Sequence, residues 1–472
     1  MTAKTTLTDQ SRHGIVRNKR LRKRFNSDVG IDKCLAEGGN MANRASRVVA
    51  VMVLLVLILS GTAFARGEQE ARVPRVELQY IAWDLGTPAW SWFEDRFAEF
   101  EEMNPHVSIR TSGIPASDYR TVIMQQVLSG DAPDLVPIFS DQLLVLQPLG
   151  YLEPLDRFLE NSELNDRLLP VVRHVAEIDG SVYAVLRALP PWMLHANMRI
   201  LNEAGIQEPP STLEEFYAAA KAVKENTDAW GYVGWLDSAN VHDYTRTVLA
   251  WFVGFGGHFT SEPGKLAVNQ QANVDALTWL RRFKNEGLMP MGIAEGESYD
   301  LFVEEKAAMM VVGTWLAGMV MDRNPSSYRE LKVVSVPMPA RGSLTGGGWL
   351  GIPAASRNKD LAWQLIEHMY SSENQVKWVQ QSGRLGSTTD LPSDEWIAAN
   401  APFLHEMKMI GEQYVDALGY DPIGFEAHSA EFKREIMPYL VEAMETTRPV
   451  RAILDEAQAH LVRWAESKGI PQ

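Results

Sequence analysis

A single cysteine, Cys34, stands in this chain, ahead of the globular part. Neither a disulfide nor thiol chemistry is open to the body of the protein, whatever its compartment. Basic residues are also scarce where the fold must lie. Residues 1–65 hold 11 Lys and Arg against 4 Asp and Glu, so the following 407 carry −22 within a total of −15. A surface that acidic repels phosphate backbones and anionic lipid, which argues against nucleic acid as a partner.

Catalytic signatures are missing too. The nearest approach to a phosphate-binding loop, Gly257 to Lys265, has the wrong spacing and is followed by Leu266. There is no G-x-S-x-G elbow and no H-E-x-x-H pair. The nine histidines after residue 65 are scattered, with no two at helical ligand spacing, so neither a metal nor another cofactor is expected. Internal repeats and low-complexity tracts are absent.

Only one long apolar run exists, Val48 to Leu59. A membrane-spanning helix needs ~20 apolar residues, so this run is short for an anchor. Arg44 and Arg47 precede it and Ala63-Phe64-Ala65 follows. That is the layout of a cleaved secretory signal, residues 41–65, with the mature chain beginning near Arg66. Residues 1–40 are basic and aperiodic, and Met41 opens a signal of ordinary layout. The expectation is therefore translation from Met41, with 1–40 a non-native or disordered extension. No cysteine follows the run, so no lipid attachment is expected.

Beyond residue 75, strand and helix patterns alternate. Val76 to Ile81 reads as a strand, and a helix opened by Thr87-Pro88 buries Trp90, Phe93, Phe97 and Phe100 on one face. Val107 to Arg110 is a second strand, Tyr119 to Leu128 a helix, and Asp134 to Phe139 a short buried strand. This alternation is the mark of a parallel sheet covered by helices. Pro190-Pro191 interrupts an apolar stretch and suits an extended crossing segment. Ser211 to Glu214 reads as a capping box opening a helix, Gly231 to Trp235 as a strand, and Tyr244 to Gly254 as a helix. Ala307 to Val312 and Leu331 to Met338 read as strands, and the tail from about Trp396 as helical. Between them, Gly346-Gly347-Gly348-Trp349 leads through Pro353 into a helix with Leu361, Leu365, Ile366 and Met369 on one face.

The aromatic pattern carries most of the functional information. All 14 tryptophans follow residue 65. Trp83, Trp192, Trp235, Trp315 and Trp349 follow strand-like runs or lie in loops, off the amphipathic faces. A flat indole packs on the C–H face of a sugar, while carboxylates and amides bind its hydroxyls. For any one of them, core packing is the competing reading. A glycosidase also remains open, since it needs two carboxylates flanking the bond; Asp84, Asp141, Asp237 and Glu426 are the residues folding would have to gather.

Several stretches together resemble the family 1 extracellular solute-binding proteins of ABC importers, the group that contains maltose- and other sugar-binding proteins. They are Phe97-x-x-Phe100…Asn104-Pro105-x-Val107, Gly130-x-Ala132-Pro133-Asp134-Leu135, and Asn197…Ala204-Gly205-Ile206…Pro209-Pro210-Ser211-Thr212. They continue with Phe302…Lys306-Ala307-Ala308-Met309…Gly313-x-Trp315 and Gly347-Gly348-x-x-Gly351-Ile352-Pro353…Ser356-x-Asn358-Lys359…Ala362-Trp363. Each is weak alone; their order across the chain is what carries the resemblance.

The resemblance implies an α/β, two-lobed periplasmic-binding-protein-like fold of type II. Each lobe would be a central sheet flanked by helices, residues 66–188 with 346–395 and 189–345 with 396–472. The chain would cross between lobes near Leu186–Pro191 and Thr345–Leu350, with a further exchange near 385–400. It implies hinge closure on a ligand, delivery to membrane permease subunits, and a monomer.

By position, the cleft would be lined by Trp83 and Asp84 after the first strand, and by Ser140 and Asp141 after the third. Trp192 would lie at the first crossing, with Trp235, Asp237, His242 and Tyr244 in the second lobe. Trp315, Gly348 and Trp349 would complete it. Arg384 stands where a small or apolar residue is often found; it joins the candidates, with a surface arginine as the alternative. The expected function is a non-enzymatic, periplasmic carbohydrate binder. Another solute on the same scaffold, a glycosidase, or a sensor that presents bound sugar to a receptor are the competing readings.

Overall fold

The computed structural model describes residues 75–86, 88–345, 348–413, 415–418 and 421–472. The expected leader, the start at Met41, Cys34, and Gly346 with Gly347 lie outside the described residues.

The first strand, Val76–Ala82, runs parallel to Val107–Gly113 in register from Val76 on Val107 to Ala82 on Gly113. The connecting helix, Pro88–Met103, buries Trp90, Phe93, Phe97 and Phe100 against them, as its apolar spacing predicts. A second helix, Ala116–Ser129, ends on Gly130, whose φ of +76° is the left-handed conformation that favours glycine. The chain then enters Val136–Ile138, and a parallel bridge from Leu135 to Tyr80 ties it to the first strand. Trp349–Gly351 returns from far along the chain to lie antiparallel between Val136–Ile138 and Ala184–Leu186.

Asp134 fastens this sheet. Its carboxylate accepts the Gln79 N–H at 3.1 Å, the Ser356 hydroxyl at 2.7 Å and the Asn358 side-chain amide at 3.1 Å. The Ala-Pro-Asp134 and Ser356-x-Asn358 motifs are thus two halves of one staple, which positions the helix Lys359–Met369 on the sheet.

A second sheet holds Leu331–Val334, Trp192–Asn197, Ala307–Gly313 and Trp230–Val233, in that order. Trp192–Asn197 is antiparallel to both its neighbours, while Ala307–Gly313 and Trp230–Val233 are parallel. Every residue of Trp192–Asn197 and Ala307–Gly313 is buried, which explains their unbroken apolar runs. Helices Leu213–Asn226, Val241–Gly254 and Gln271–Asn285, with the tail helices Ser429–Glu445 and Val450–Ser467, belong with this sheet.

Among the described residues, the two sheets are not hydrogen-bonded to each other. Between them run neighbouring segments of chain. Arg187 N–H donates to the Gly348 carbonyl at 2.9 Å, and Leu189 N–H to that of Leu385 at 3.2 Å.

Three boundaries differ from expectation. The cap of Leu213–Asn226 lies one residue later: Thr212 accepts the Glu215 N–H at 3.2 Å, and the Glu215 carboxylate accepts the Ser211 N–H at 2.9 Å. The Leu331 strand stops at Val334, before Pro337, which has no N–H for a ladder. The tail is not wholly helical, since Val415–Leu418 pairs in parallel with Ser343–Thr345.

Candidate functional site

Two aromatic walls stand near the seam where the 382–384 turn packs on Gly318. The first grows from the carboxyl end of Val76–Ala82, where ligands bind on open α/β sheets. Trp83 is half-buried there, stacked on Phe139 with centroids 4.6 Å apart and edge-on to Tyr119 at 4.9 Å. The Arg187 guanidinium lies 5.0 Å from the Trp83 ring and 4.3 Å from that of Phe93. Its Nη2 donates to Asp84 Oδ2 at 2.9 Å. Gly348 makes this packing possible, because a Cβ there would sit 2.2 Å from Trp83 Cη2 and 3.2 Å from Arg187 Cδ. Burial alone would lower the Arg187 pKa; the Asp84 carboxylate outweighs it and holds the group above its ordinary value. Tyr80 beneath is pushed up by burial and stays neutral.

The second wall is a cluster of three indoles. Trp192 opens its strand, Trp235 follows Trp230–Val233, and Trp315 opens the helix Trp315–Arg323. Trp192 meets Trp235 edge-on at 5.0 Å, and Trp235 lies nearly parallel to Trp315 at 6.3 Å. Gly313 leaves room for Trp315, since a Cβ there would fall 1.9 Å from its ring. Trp315 Nε1 donates to the Tyr299 hydroxyl at 2.6 Å, which donates to Glu295 Oε1 at 2.8 Å. The Arg246 guanidinium covers Trp235 at 4.6 Å and donates to Asp243 Oδ1 at 3.3 Å. Burial, reinforced by Glu295 and opposed by Arg246, pushes Asp243 up to about 6.

Arg384 stands at the seam. Its turn packs on Gly318 of the Trp315–Arg323 helix, where an added Cβ would meet the Ser382 carbonyl oxygen at 2.1 Å. Burial lowers the Arg384 pKa to about 10; Asp84 and Tyr299 raise it, and Arg187 lowers it further. It therefore feels both walls at once.

A second polar cluster joins the tail to the site region. Lys433 Nζ donates to Asp421 Oδ1 at 2.5 Å, both groups being buried, and approaches His242 Nδ1 at 3.3 Å. Burial, with Lys433, Arg246 and Arg120 adding to it, holds His242 well below the usual imidazole range.

The structure thus gathers Trp83, Asp84 and Gly348 on one wall and Trp192, Trp235 and Trp315 on the other, with Arg384 between. Trp192 and Trp235 are each only 1% exposed, so Trp83 and Trp315 are the half-buried faces. Trp349 is buried within the first sheet, next to the Gly348 turn. Ser140 and Asp141 form the first turn of the helix Ser140–Leu146. Asp237 is engaged in its own turn, accepting the Ala239 N–H at 2.9 Å. Tyr244 is buried on a helix that packs against the tail, in the field of Glu445. Of the acids a glycosidase would use, Asp84 is tied to Arg187, and Glu426 accepts the Gly424 N–H at 2.8 Å.

Arg187, Arg246, Asp243, Glu295 and Tyr299 escaped the sequence reading. The signal was present for two of them: Arg187 and Arg246 are single cations inside otherwise apolar stretches. Elsewhere, an open groove of ≈ 610 Å³ is lined by Glu99, His368 and Lys377 among others; it has no aromatic wall and lies apart from this site.

Comparison with known proteins bears on the fold and the family. A Brucella abortus (strain 2308) protein, named only as a binding protein, is 22% identical over 317 residues, 66% of this chain and 76% of that one. The maltotriose-binding protein of Pyrococcus abyssi is 24% identical over 300 residues, 60% of each chain. The maltose-bound MalE3 structure of T. maritima superimposes with a TM-score of 0.70 at 17% identity, covering 82% of this chain and 98% of that one. The profile of the bacterial extracellular solute-binding proteins matches residues 95–404, and the chain belongs to that family.

Proposed function

We propose that this protein is the extracytoplasmic substrate-binding subunit of an ABC importer, capturing a mono- or oligosaccharide between its lobes. The observation that carries this reading is the pair of aromatic walls that the Arg384 turn joins. Each offers one half-buried indole, Trp83 or Trp315, beside a polar group, Asp84 with Arg187 or Tyr299 with Glu295. Indoles stack on sugar rings, and the polar groups exchange hydrogen bonds with hydroxyls. Relatives that bind maltotriose and diacetylchitobiose support the ligand class.

The lobes are proposed as residues 66–188 with 346–395 and 189–345 with 396–472. Ligand contacts made only when both walls meet would favour closure, and the closed form would dock on the permease. The mature protein is proposed to be a periplasmic monomer, released by cleavage near Ala65 and without a lipid. Among the described residues, no helix is long and apolar enough to cross a membrane.

No catalysis is proposed: the Asp84 carboxylate is occupied by a guanidinium, which leaves it poorly placed to protonate a leaving group. A thermal-shift screen of sugars tests the binding, because a ligand selective for the native state raises the melting temperature. Chromatography of the recovered sugar tests its fate. Return of intact sugar is expected; hydrolysis products would overturn the non-enzymatic reading.

A further inference from the structure

Among the described residues, the Arg384 guanidinium is left partly unsatisfied. Its Nε is sealed from solvent and makes no hydrogen bond or ion pair, whereas Arg187 beside it is held by Asp84. On this side of the seam two guanidiniums therefore share one carboxylate. Tyr299, facing from the other lobe, cannot supply the missing anion. Burial keeps its phenol protonated, and its hydroxyl is already engaged with Glu295. A partly buried cation whose sealed N–H finds no acceptor is costly, and a counter-ion arriving from elsewhere would relieve it. The Trp235 Nε1–H, in contact with Tyr299, is also buried without a hydrogen-bond partner, and it too only donates.

An acceptor-rich, negatively charged group would satisfy this excess of donors. The guanidinium fork matches a planar carboxylate through two parallel N–H···O bonds. We propose that the saccharide taken by this cleft carries a carboxylate, as a uronic-acid residue does, and that Arg384 is the residue that selects it. The inference rests on the carbohydrate reading above and narrows it to acidic sugars. Gly318 fits the same design, since its bare Cα lets the 382–384 turn bring Arg384 against the opposite lobe.

The test is calorimetric titration of the purified protein with matched ligands. Glucuronate and galacturonate, with their di- and trisaccharides, are compared with neutral counterparts in which a hydroxymethyl replaces the carboxylate; the corresponding sugar phosphates form a third arm. The acid form should bind about 100-fold more tightly than its neutral partner, the loss typical when one member of a buried charge pair is removed. Arg384→Gln should erase that preference. Its ligand-free melting temperature should be no lower than that of the parent, because an uncompensated cation has been removed. Arg384→Lys, which keeps the charge and loses the fork, should recover only part of the preference.

Neutral sugars binding as well as the acids, with Arg384→Gln unchanged, would overturn this inference and leave the carbohydrate reading standing. A preference for the sugar phosphates over the uronates would overturn it as well. Failure of every saccharide to bind would overturn both.

Discussion

Arg187 Nη2 donates to Asp84 Oδ2 across 2.9 Å, joining the interlobe crossing to the end of the first strand. The two side chains are only 7% and 13% exposed, so each depends on the other for charge compensation. Replacing Asp84 with Asn would strand the guanidinium against Trp83 and Phe93. The expected cost is about 3 kcal/mol of unfolding free energy, as for a buried pair broken on one side. Urea unfolding of Asp84→Asn measures it, and Asp84→Asn with Arg187→Met should recover much of the loss.

Trp315 is half-buried and holds the Tyr299 hydroxyl through its Nε1–H. Trp315→Ala should weaken sugar binding by roughly 1–3 kcal/mol, from lost stacking and lost burial. Calorimetry on a bound sugar reads the effect directly. Unchanged affinity in a folded variant would remove Trp315 from the binding surface. Sugar should also shift the tryptophan fluorescence of the parent protein, since Trp83 and Trp315 lose water on closure.

Gly318 and the Ser382 carbonyl leave no space for a methyl group between them. Gly318→Ala should hold this seam ajar and lower sugar affinity roughly tenfold, in line with the ~1–3 kcal/mol of overpacking. Small-angle scattering should then show less compaction on sugar addition than in the parent.

His195 is fully buried on the Trp192–Asn197 strand, 3.2 Å from the Met193 carbonyl, and burial pushes its pKa down to about 4 from 6.5. Between those values the unfolded chain binds a proton that the native imidazole refuses. Stability should therefore fall as the pH drops from 6.5 towards 4, by on the order of 3 kcal/mol from this residue. Asp243, raised to about 6, works in the opposite direction: its protonated form suits the native state, so its contribution improves as the pH falls from 6 to 4. Denaturant midpoints across pH 4–7 for His195→Gln and Asp243→Asn should separate the two, the first flattening the acid-side loss and the second steepening it.

Much of this was legible beforehand, for reasons that differ by residue. Ala307–Val312 is wholly apolar because its strand is covered on both faces, and the strand appears where the run does. Trp83 and Trp315 were legible because an indole just after a strand-like run has no amphipathic face to join. Trp192 and Trp235 carry the same signal, yet they pack chiefly on each other and under Arg246, a tertiary choice that spacing does not encode. Asp134 looked like part of a motif without a task; only the fold shows Ser356 and Asn358 closing on it. Arg384 is partly buried, and its turn packs on Gly318, a tertiary contact that the sequence around it does not encode.

The placement of Trp349–Gly351 between Val136–Ile138 and Ala184–Leu186 has a temporal consequence. A chain that emerges amino end first carries the outer strands of its first sheet well before the middle one exists. No fragment ending short of residue 351 can complete that lobe. A polypeptide wired this way stays incomplete, and so threadable, until about three quarters of it has been made.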